Sequence, residues 1–172
     1  MNLKNAVGWV CFGLLSVVVA APASAQAARG KAELKGASGS ITIDYGRPSL
    51  KGRDMLSQLQ EGDFWRMGMN EATVLKTSVG LNFGAKTVAK GSYSLWLRRS
   101  GETFELVFNS QTGQWGTQHD PAKDVHTVAM TKAPVEPPVE TFTITLSPAA
   151  KGGVLELSWG ATKLSAPFEI GK

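Results

Sequence analysis

The chain has 172 residues, of which 42% are hydrophobic and 19% are charged, and its 18 basic and 14 acidic side chains give a net charge of +4. This length suits one domain with a hydrophobic core of its own. The small excess of positive charge is spread along the chain without any block of like charges, which argues against a nucleic-acid-binding protein.

The first segment of the chain has the pattern of a secretory signal. Lys4 is followed by the apolar run AVGWVCFGLLSVVVA and then by the small residues ASA. We therefore predict a signal peptide over residues 1–25, cleaved before Gln26, and a periplasmic or secreted mature protein. The alternative is an uncleaved anchor, but the run is short for a stable membrane span. Cleavage would remove Cys11, the only cysteine, and with it any disulfide or thiolate site.

Alternation of apolar and polar residues dominates the rest of the chain. Residues 26–40 (QAARGKAELKGASGS) are small, polar and aperiodic, and predict a flexible lead-in to one domain over residues 41–172. From there the period of two is that of strands that bury one face. The predicted strands are residues 41–45, 73–79, 92–98, 103–108, 124–131, 140–146, 154–159 and 167–170.

Turn and helix signals separate these strands. Residues 99–102 and 149–153 predict hairpin turns, and residues 132–139 (KAPVEPPV) predict an extended proline-rich connection. Residues 53–60 (RDMLSQLQ) carry apolar side chains at helical spacing. Many short strands without alternating helices predict an all-β fold, an antiparallel β-sandwich of about eight or nine strands with one short helix.

Sequence signatures of catalysis are missing. The chain has no G-x-S-x-G, no H-E-x-x-H and no glycine motif for a phosphate or a dinucleotide. His119 and His126 are the only histidines, and with Asp120 and Asp124 they could supply metal ligands. Because His and Asp are also common in turns, we expect neither a metal nor a cofactor.

Polar residues concentrate in the connection that contains DYGRPSLKGR (44–53) and WRMGMNEAT (65–73). One interpretation is structural. Arg66 would form an ion pair with Glu71 or Asp44 that fixes the connection to the sheets, and Trp65 would cap the core. Residue types alone favour this interpretation.

The other interpretation of the same connection is a ligand site. Trp65 would be an apolar platform beside hydrogen-bonding groups for a small polar, anionic or carbohydrate ligand. Trp115, in GQWG (113–116), is interpreted as a turn aromatic, and Trp96 as a residue on a sheet face. The candidate ligand-binding residues are Arg47, Arg53, Trp65, Arg66, Asn70 and Glu71.

Five stretches together resemble a known family. DYGRPSLKGR, WRMGMNEAT, AKGSYSLWL, FNSQTGQWG and PVETFTITL occur here in the order found in the secreted bacterial family catalogued as the domain of unknown function 2911. The resemblance covers about residues 38–170, and Lys90 departs from the usual A-G-x-Y-S-L. It implies no activity, because none is assigned to that family, and its pattern requires neither histidine.

Two classes of function remain open. We favour a non-catalytic binding module in which residues 47–71 bind a small ligand, or a protein partner adds a strand to a sheet edge. The alternative is a hydrolase-type enzyme in which Glu71 or Asp44 is the acid or base and Arg66 stabilises charge. The enzyme interpretation requires the two carboxylates to converge on the same side of the fold.

Overall fold

A computed structural model describes residues 29–171, so the predicted signal peptide and its cleavage site before Gln26 lie outside the described residues. These residues form ten strands and one four-residue helix, α1, together with a single 3-10 turn. The predicted all-β, antiparallel class is confirmed, with ten strands where eight or nine were expected. Between residues 29 and 171, no helix is both long and apolar enough to cross a membrane.

The strands are β1 (Arg29–Gly36), β2 (Gly39–Gly46), β3 (Phe64–Trp65), β4 (Thr73–Thr77), β5 (Leu81–Phe83), β6 (Lys86–Val88), β7 (Gly91–Ser100), β8 (Thr103–Asn109), β9 (Asp124–Ala149) and β10 (Gly152–Ile170). Helix α1 spans Met55–Gln58, and the 3-10 turn spans Pro121–Lys123. The Asp54 carboxylate caps α1 by accepting hydrogen bonds from the N–H groups of Leu56 and Ser57.

Nine of these ten strands follow one hydrogen-bonded path, β1-β2-β4-β7-β8-β9-β10-β5-β6, and β3 pairs with β7 beside it. The path folds over on β9, which pairs with β8 through residues 124–130 and with β10 through residues 131–149. We call the strands from β1 to β8 on this path, with β3 and residues 124–130, the first layer. The remaining strands form the second layer.

The main core lies between the two layers. Phe108 of the first layer packs on Phe83 of the second, and Tyr45 meets Phe142 edge to face. The Tyr45 hydroxyl also donates to the Ile144 carbonyl and accepts from the Ile144 N–H, which fixes the two layers in register. Inward side chains on alternate positions of each strand therefore meet those of the facing layer, as the period of two predicted.

The flexible lead-in predicted over residues 26–40 is wrong for its described part. β1 pairs with β2 along its whole length, from Arg29 opposite Gly46 to Gly36 opposite Gly39. Only Ala32 and Leu34 are apolar at inward positions of β1, so its alternation is weak in the sequence. Pairing with a neighbour supplies the order that local pattern does not indicate.

The proline-rich residues 132–139 also differ from expectation, because they lie inside β9. Opposite them, β10 advances only from Gly160 to Thr162 while β9 moves from Val139 to Pro134. The surplus residues of β9 form a bulge at this register shift. The prolines therefore interrupt the ladder without ending the strand.

Candidate functional site

The first layer has two different faces, and β7 shows both. Tyr93, Leu95 and Leu97 point into the main core, while Ser94 and Trp96 point away from the second layer. We call this second surface the outer face. Its strands are in register, so residues of six strands form one row across it: Lys31, Asp44, Val74, Ser94, Asn109 and Asp124.

One half of the outer face is covered by residues 110–123, the covering loop. Beneath the loop, the buried residues Ala72, Trp96 and Val107 form a second, smaller hydrophobic cluster against which Phe64 packs. The ring of His119 lies on Phe64 and Trp96, with centroid distances of 4.1 and 4.7 Å. These residues define the covered half of the outer face, which is a small core of its own.

Polar groups anchor the covering loop at each end. Near its start, the Gln114 side-chain amide and the Trp96 indole N–H both donate to the Ser94 hydroxyl at 2.9 Å. Near its end, His119 Nε2 lies 2.9 Å from Asp124 Oδ1, which also accepts from the Asn109 amide at 2.8 Å. The polar row of the sheet therefore provides the hydrogen-bonding partners of the loop.

The WRMGMNEAT stretch holds the middle of the covering loop. The Gly116 N–H donates to the Asn70 carbonyl at 2.9 Å, and the Ala72 N–H donates to the Gln114 carbonyl at 3.2 Å. The Arg66 guanidinium donates to the carbonyl of Gly116 at 3.5 Å. A Cβ on Gly116 would overlap Arg66 Cδ, so the close approach requires glycine. WRMGMNEAT and the covering loop thus form one structural unit.

The same stretch is held in an unusual backbone conformation. Met67 and Asn70 have φ values of 51° and 65°, in the left-handed region that non-glycine residues rarely adopt. Met67 is fully buried, and its carbonyl accepts a 2.7 Å hydrogen bond from the Thr73 hydroxyl. Such strain costs about 1–3 kcal/mol at each position and persists where surrounding contacts compensate it. Here the surrounding contacts include the hydrogen bonds that hold the covering loop on this stretch.

The ion pair predicted for Arg66 is wrong within the described part of the chain. Arg66 bonds only backbone carbonyls, and Arg29 of β1 binds both candidate carboxylates instead. Its Nη1 lies 2.7 Å from Glu71 Oε2, and its other nitrogens bond Asp44. The solvent-exposed fraction of the side chain is 28% for Arg29, 54% for Asp44 and 51% for Glu71. The carboxylates therefore converge on one exposed guanidinium.

The other predicted site residues lie apart from this network. The indole of Trp65 is on the core side, stacked on Trp159 at 5.3 Å. The Arg47 guanidinium donates to the Phe142 carbonyl and the Thr143 hydroxyl of β9. Arg53 is exposed in the turn before α1, where its N–H donates to the Leu50 carbonyl. The predicted cluster is thus divided between the core, the second layer and the outer face.

The uncovered part of the outer face contains an open groove of about 510 Å³. Val74 supplies its apolar floor, and Thr112 and Gly113 of the covering loop form one wall. The full set of lining residues is Lys31, Thr42, Asp44, Val74, Lys76, Thr112 and Gly113.

Trp115 adjoins this groove through a chain of contacts. It is two residues beyond Gly113, 49% exposed, and bridged through its backbone to Glu71. Glu71 binds Arg29, which binds the groove residue Asp44. We call the groove, Arg29, Glu71 and Trp115 together the open half of the outer face.

Charge is unevenly distributed over the open half. Asp44 and Glu71 share one arginine, whereas Lys31 and Lys35 share Glu33, at 3.5 and 3.1 Å. The hydrogen bond from Lys35 lowers the pKa of Glu33; desolvation opposes this shift, and the nearby charge of Lys31 adds to it. Lys76 has no carboxylate within ion-pair distance among residues 29–171. Lys31 lies directly opposite Asp44, so Lys76, two residues along β4 from the partner of Asp44, carries the unneutralised positive charge of the groove. We call the side of Asp44 and Glu71 the acidic end of the open half and the side of Lys76 its basic end.

The two histidines have different surroundings. His119, in the covering loop, is engaged by Asp124, whereas His126 of β9 pairs opposite Phe108. No group of three or more His, Cys, Asp or Glu side chains in the described part of the chain is arranged to hold a metal ion.

The fold and the outer face define an antiparallel β protein of two facing layers, with a polar surface on the outside of the first. The chain belongs to the family described as protein of unknown function (DUF2911), whose model matches residues 27–168, so the resemblance found in the sequence is confirmed. No curated protein and no solved structure matches the chain.

Sequence reasoning found Glu71 and missed most of the open half. Arg29, Lys31 and Lys76 lie on β1 and β4, and Trp115 was interpreted as a turn aromatic. A signal for β1 was present, because Arg29, Lys31, Glu33 and Lys35 alternate with smaller or apolar residues. That alternation indicates a strand with one charged face, but it is short and begins next to the predicted cleavage site.

Proposed function

We propose that this protein is a non-catalytic binding module that holds a polar ligand on the open half of the outer face. The supporting observation is an exposed tryptophan, Trp115, whose backbone is bridged to Glu71, while Glu71 and the groove residue Asp44 share Arg29. Exposed tryptophan offers a flat apolar surface, and fixed charged groups around it give orientation. Arg66 and Asn70 act indirectly, by holding the covering loop that carries Trp115.

Rigidity favours a binding role for this surface. The carboxylates of Asp44 and Glu71 are fixed by Arg29, and the loop beside them is fixed by Arg66, Asn70 and Ala72. A ligand that meets groups already in position loses less free energy to ordering them. Arg29 would keep the carboxylates as acceptors for hydroxyl groups of the ligand.

The alternative is the hydrolase-type enzyme, and one observation favours it: Asp44 and Glu71 lie on the same side of the fold and meet on Arg29. Against it, both carboxylates are half exposed, and neither lies in a closed cleft from which water would be excluded. A glycosidase needs one carboxylic acid to protonate the leaving group and a second carboxylate opposite it. Two carboxylates that share one arginine suit binding better.

The test of the binding proposal is a titration with cellotriose, chitotriose and trigalacturonic acid, followed by tryptophan fluorescence and calorimetry. We expect at least one probe to bind and Trp115→Ala to weaken its binding about tenfold or more, which is a loss of about 1.4 kcal/mol. Val125→Ala is the matched control, because Val125 is 45% exposed and lies on β9, outside the groove lining. Absence of binding by all three probes, or equal binding by Trp115→Ala, would contradict the proposal.

The same titrations test the enzyme alternative. Release of new reducing ends from any probe, abolished by Glu71→Gln or Asp44→Asn, would replace the binding proposal with a hydrolase. We expect no such release, and we expect the two variants to alter affinity alone.

We also propose that the protein acts outside the cytoplasm, in the periplasm or the medium. The signal-like segment of residues 1–25 supports this. Expression of the full chain followed by cell fractionation and mass spectrometry of the N-terminus tests it. The expected product begins at Gln26, and an uncleaved chain in the cytoplasm would contradict it.

A further inference from the structure

We propose that the ligand of the open half is an acidic oligosaccharide, a chain of sugar rings that carry carboxylates. This inference rests on the proposed binding function and names its ligand class. It is carried by three features that occur together in the open half: a basic end, an acidic end and an exposed tryptophan.

The basic end of the groove would bind an anionic group of the ligand. Lys31 and Lys76 both line the groove, but Lys31 lies directly opposite Asp44 in the β1–β2 pair and shares Glu33 with Lys35. Lys76 faces Thr42 across the β2–β4 pair and, within residues 29–171, has no carboxylate in ion-pair distance. A ligand carboxylate placed here would meet the Lys76 ammonium group, for which residues 29–171 supply no carboxylate within ion-pair distance.

The acidic end would bind hydrogen-bond donors of the ligand. Asp44 and Glu71 present carboxylate oxygens at a half-exposed surface, and Arg29 occupies only some of them. An ionised carboxylate accepts through both oxygens, with about four lone-pair positions, so each can accept further bonds from ligand hydroxyls. The hydroxyls of Thr42 and Thr112 line the groove between the two ends and can either donate or accept.

Trp115 and Val74 supply apolar surface for the faces of the sugar rings. Val74 forms the floor of the groove, and Trp115 stands beside its acidic end through the backbone bridge to Glu71. A sugar ring has an apolar face of C–H groups and an edge of hydroxyls, so it fits an aromatic surface bordered by carboxylates. A simple inorganic anion would use the basic end alone, and an uncharged sugar would leave Lys76 without an anionic partner.

The first experiment compares trigalacturonic acid with its methyl ester, which keeps the rings and hydroxyls and removes the charge. Trimers of mannuronate and glucuronate extend the test to other ring stereochemistry. We expect at least one acidic trimer to bind about tenfold more tightly than its ester. The difference should shrink when ionic strength rises from about 0.15 M to about 1 M, because the Debye length falls from about 8 Å to about 3 Å.

The second experiment places the binding on the basic end. Lys76→Gln should weaken binding of the acidic trimer about two- to fivefold, the range of an exposed ion pair, and leave binding of the ester unchanged. Lys90→Gln is the matched control, because Lys90 is an exposed lysine in the turn before β7 and does not line the groove. Trp115→Ala should weaken the acid and the ester alike.

The outcomes separate this inference from the function on which it rests. Equal binding of acid and ester, with both lost in Trp115→Ala, overturns the acidic ligand and leaves a saccharide-binding module. Binding of polyglutamate that matches the acidic trimers and depends equally on Lys76 also overturns the inference, since the ligand would be an acidic peptide. Absence of binding by every acidic trimer overturns it as well, while cellotriose and chitotriose still decide the proposed function.

Discussion

The covered half and the open half of the outer face arise from neighbouring strands of one sheet, yet they differ in chemistry. The covered half buries Trp96 and Val107 under the covering loop, with Phe64 and His119 packed around them. The open half leaves charged side chains and Trp115 at the surface. A sheet face therefore becomes part of a core where a loop packs on it, and it remains a surface where no loop covers it. We therefore assign stability to one half and ligand contact to the other.

The largest effect expected from this division is that of Trp96→Ala. Trp96 is almost completely buried and supports His119 and the covering loop, so its loss should reduce the free energy of unfolding by about 3–5 kcal/mol. Trp115→Ala is the matched control in the open half, and it should change stability by about 0.5 kcal/mol or less. Urea unfolding of both variants measures the two values. Similar losses at both positions would remove the distinction between the halves.

Gly116→Ala should have an intermediate effect, because a Cβ there overlaps Arg66 and lies 2.6 Å from the Asn70 carbonyl oxygen. Forcing an extra methyl group into such a contact typically costs about 1–3 kcal/mol. Gly36→Ala is the control, since nothing lies within 4 Å of its Cβ position. Thermal unfolding gives the stability change, and exposure of the Trp96 indole to a fluorescence quencher reports whether the loop has left the sheet. A loop that stays docked in a fully stable variant would show that the close approach is not required.

Arg29→Ala should change stability by less than about 1 kcal/mol, because exposed ion pairs contribute little. Its effect should instead appear in ligand affinity, since Asp44 and Glu71 would lose the group that holds them. Arg29→Lys keeps the charge without the planar fork, and we expect it to recover stability better than affinity. Urea unfolding and titration with trigalacturonic acid measure the two quantities. A stability loss of about 3 kcal/mol or more would mean that the network is structural.

The smallest effect concerns Glu33 at the basic end of the open half. The hydrogen bond from Lys35 and the charge of Lys31 lower its pKa, so Lys35→Met should bring that pKa back toward the usual value for glutamate. A folded-state pKa below the unfolded one adds stability above the unfolded pKa, and this is lost as pH falls through the folded pKa. NMR titration of the Glu33 side chain measures the shift. An unchanged titration in Lys35→Met would assign the lowered pKa to another cause.

Much of the fold could be predicted from local pattern. The strands of β2, β4, β7 and β8 have clear period-two alternation, and the boundaries predicted for them are close to those observed. The strands β3, β5 and β6 have only two or three residues each, too few for a pattern to be recognised. Residues 132–139 were interpreted correctly as unsuited to a regular ladder, but a bulge let one strand continue through them.

The candidate site was predicted in part. Glu71 was identified because it lies in a polar connection, and its partner was sought within that connection. The partner is Arg29, which lies 42 residues away in β1, a strand that was not predicted because its alternation is short. Trp65 and Arg47 were plausible by residue type, but alternation along β3 turned Trp65 toward the core, and the segment after β2 placed Arg47 against β9.

The sequence by itself therefore determined the all-β class, the strands with strong alternation and membership of the family. Tertiary structure alone decided the pairing of Arg29 with Asp44 and Glu71, the docking of GQWG on WRMGMNEAT, and the division of the outer face. The physical reason is the distance along the chain over which each feature is determined. Alternation is a local property that each strand carries in its own residues, whereas a site on a sheet depends on which strands become neighbours and in what register.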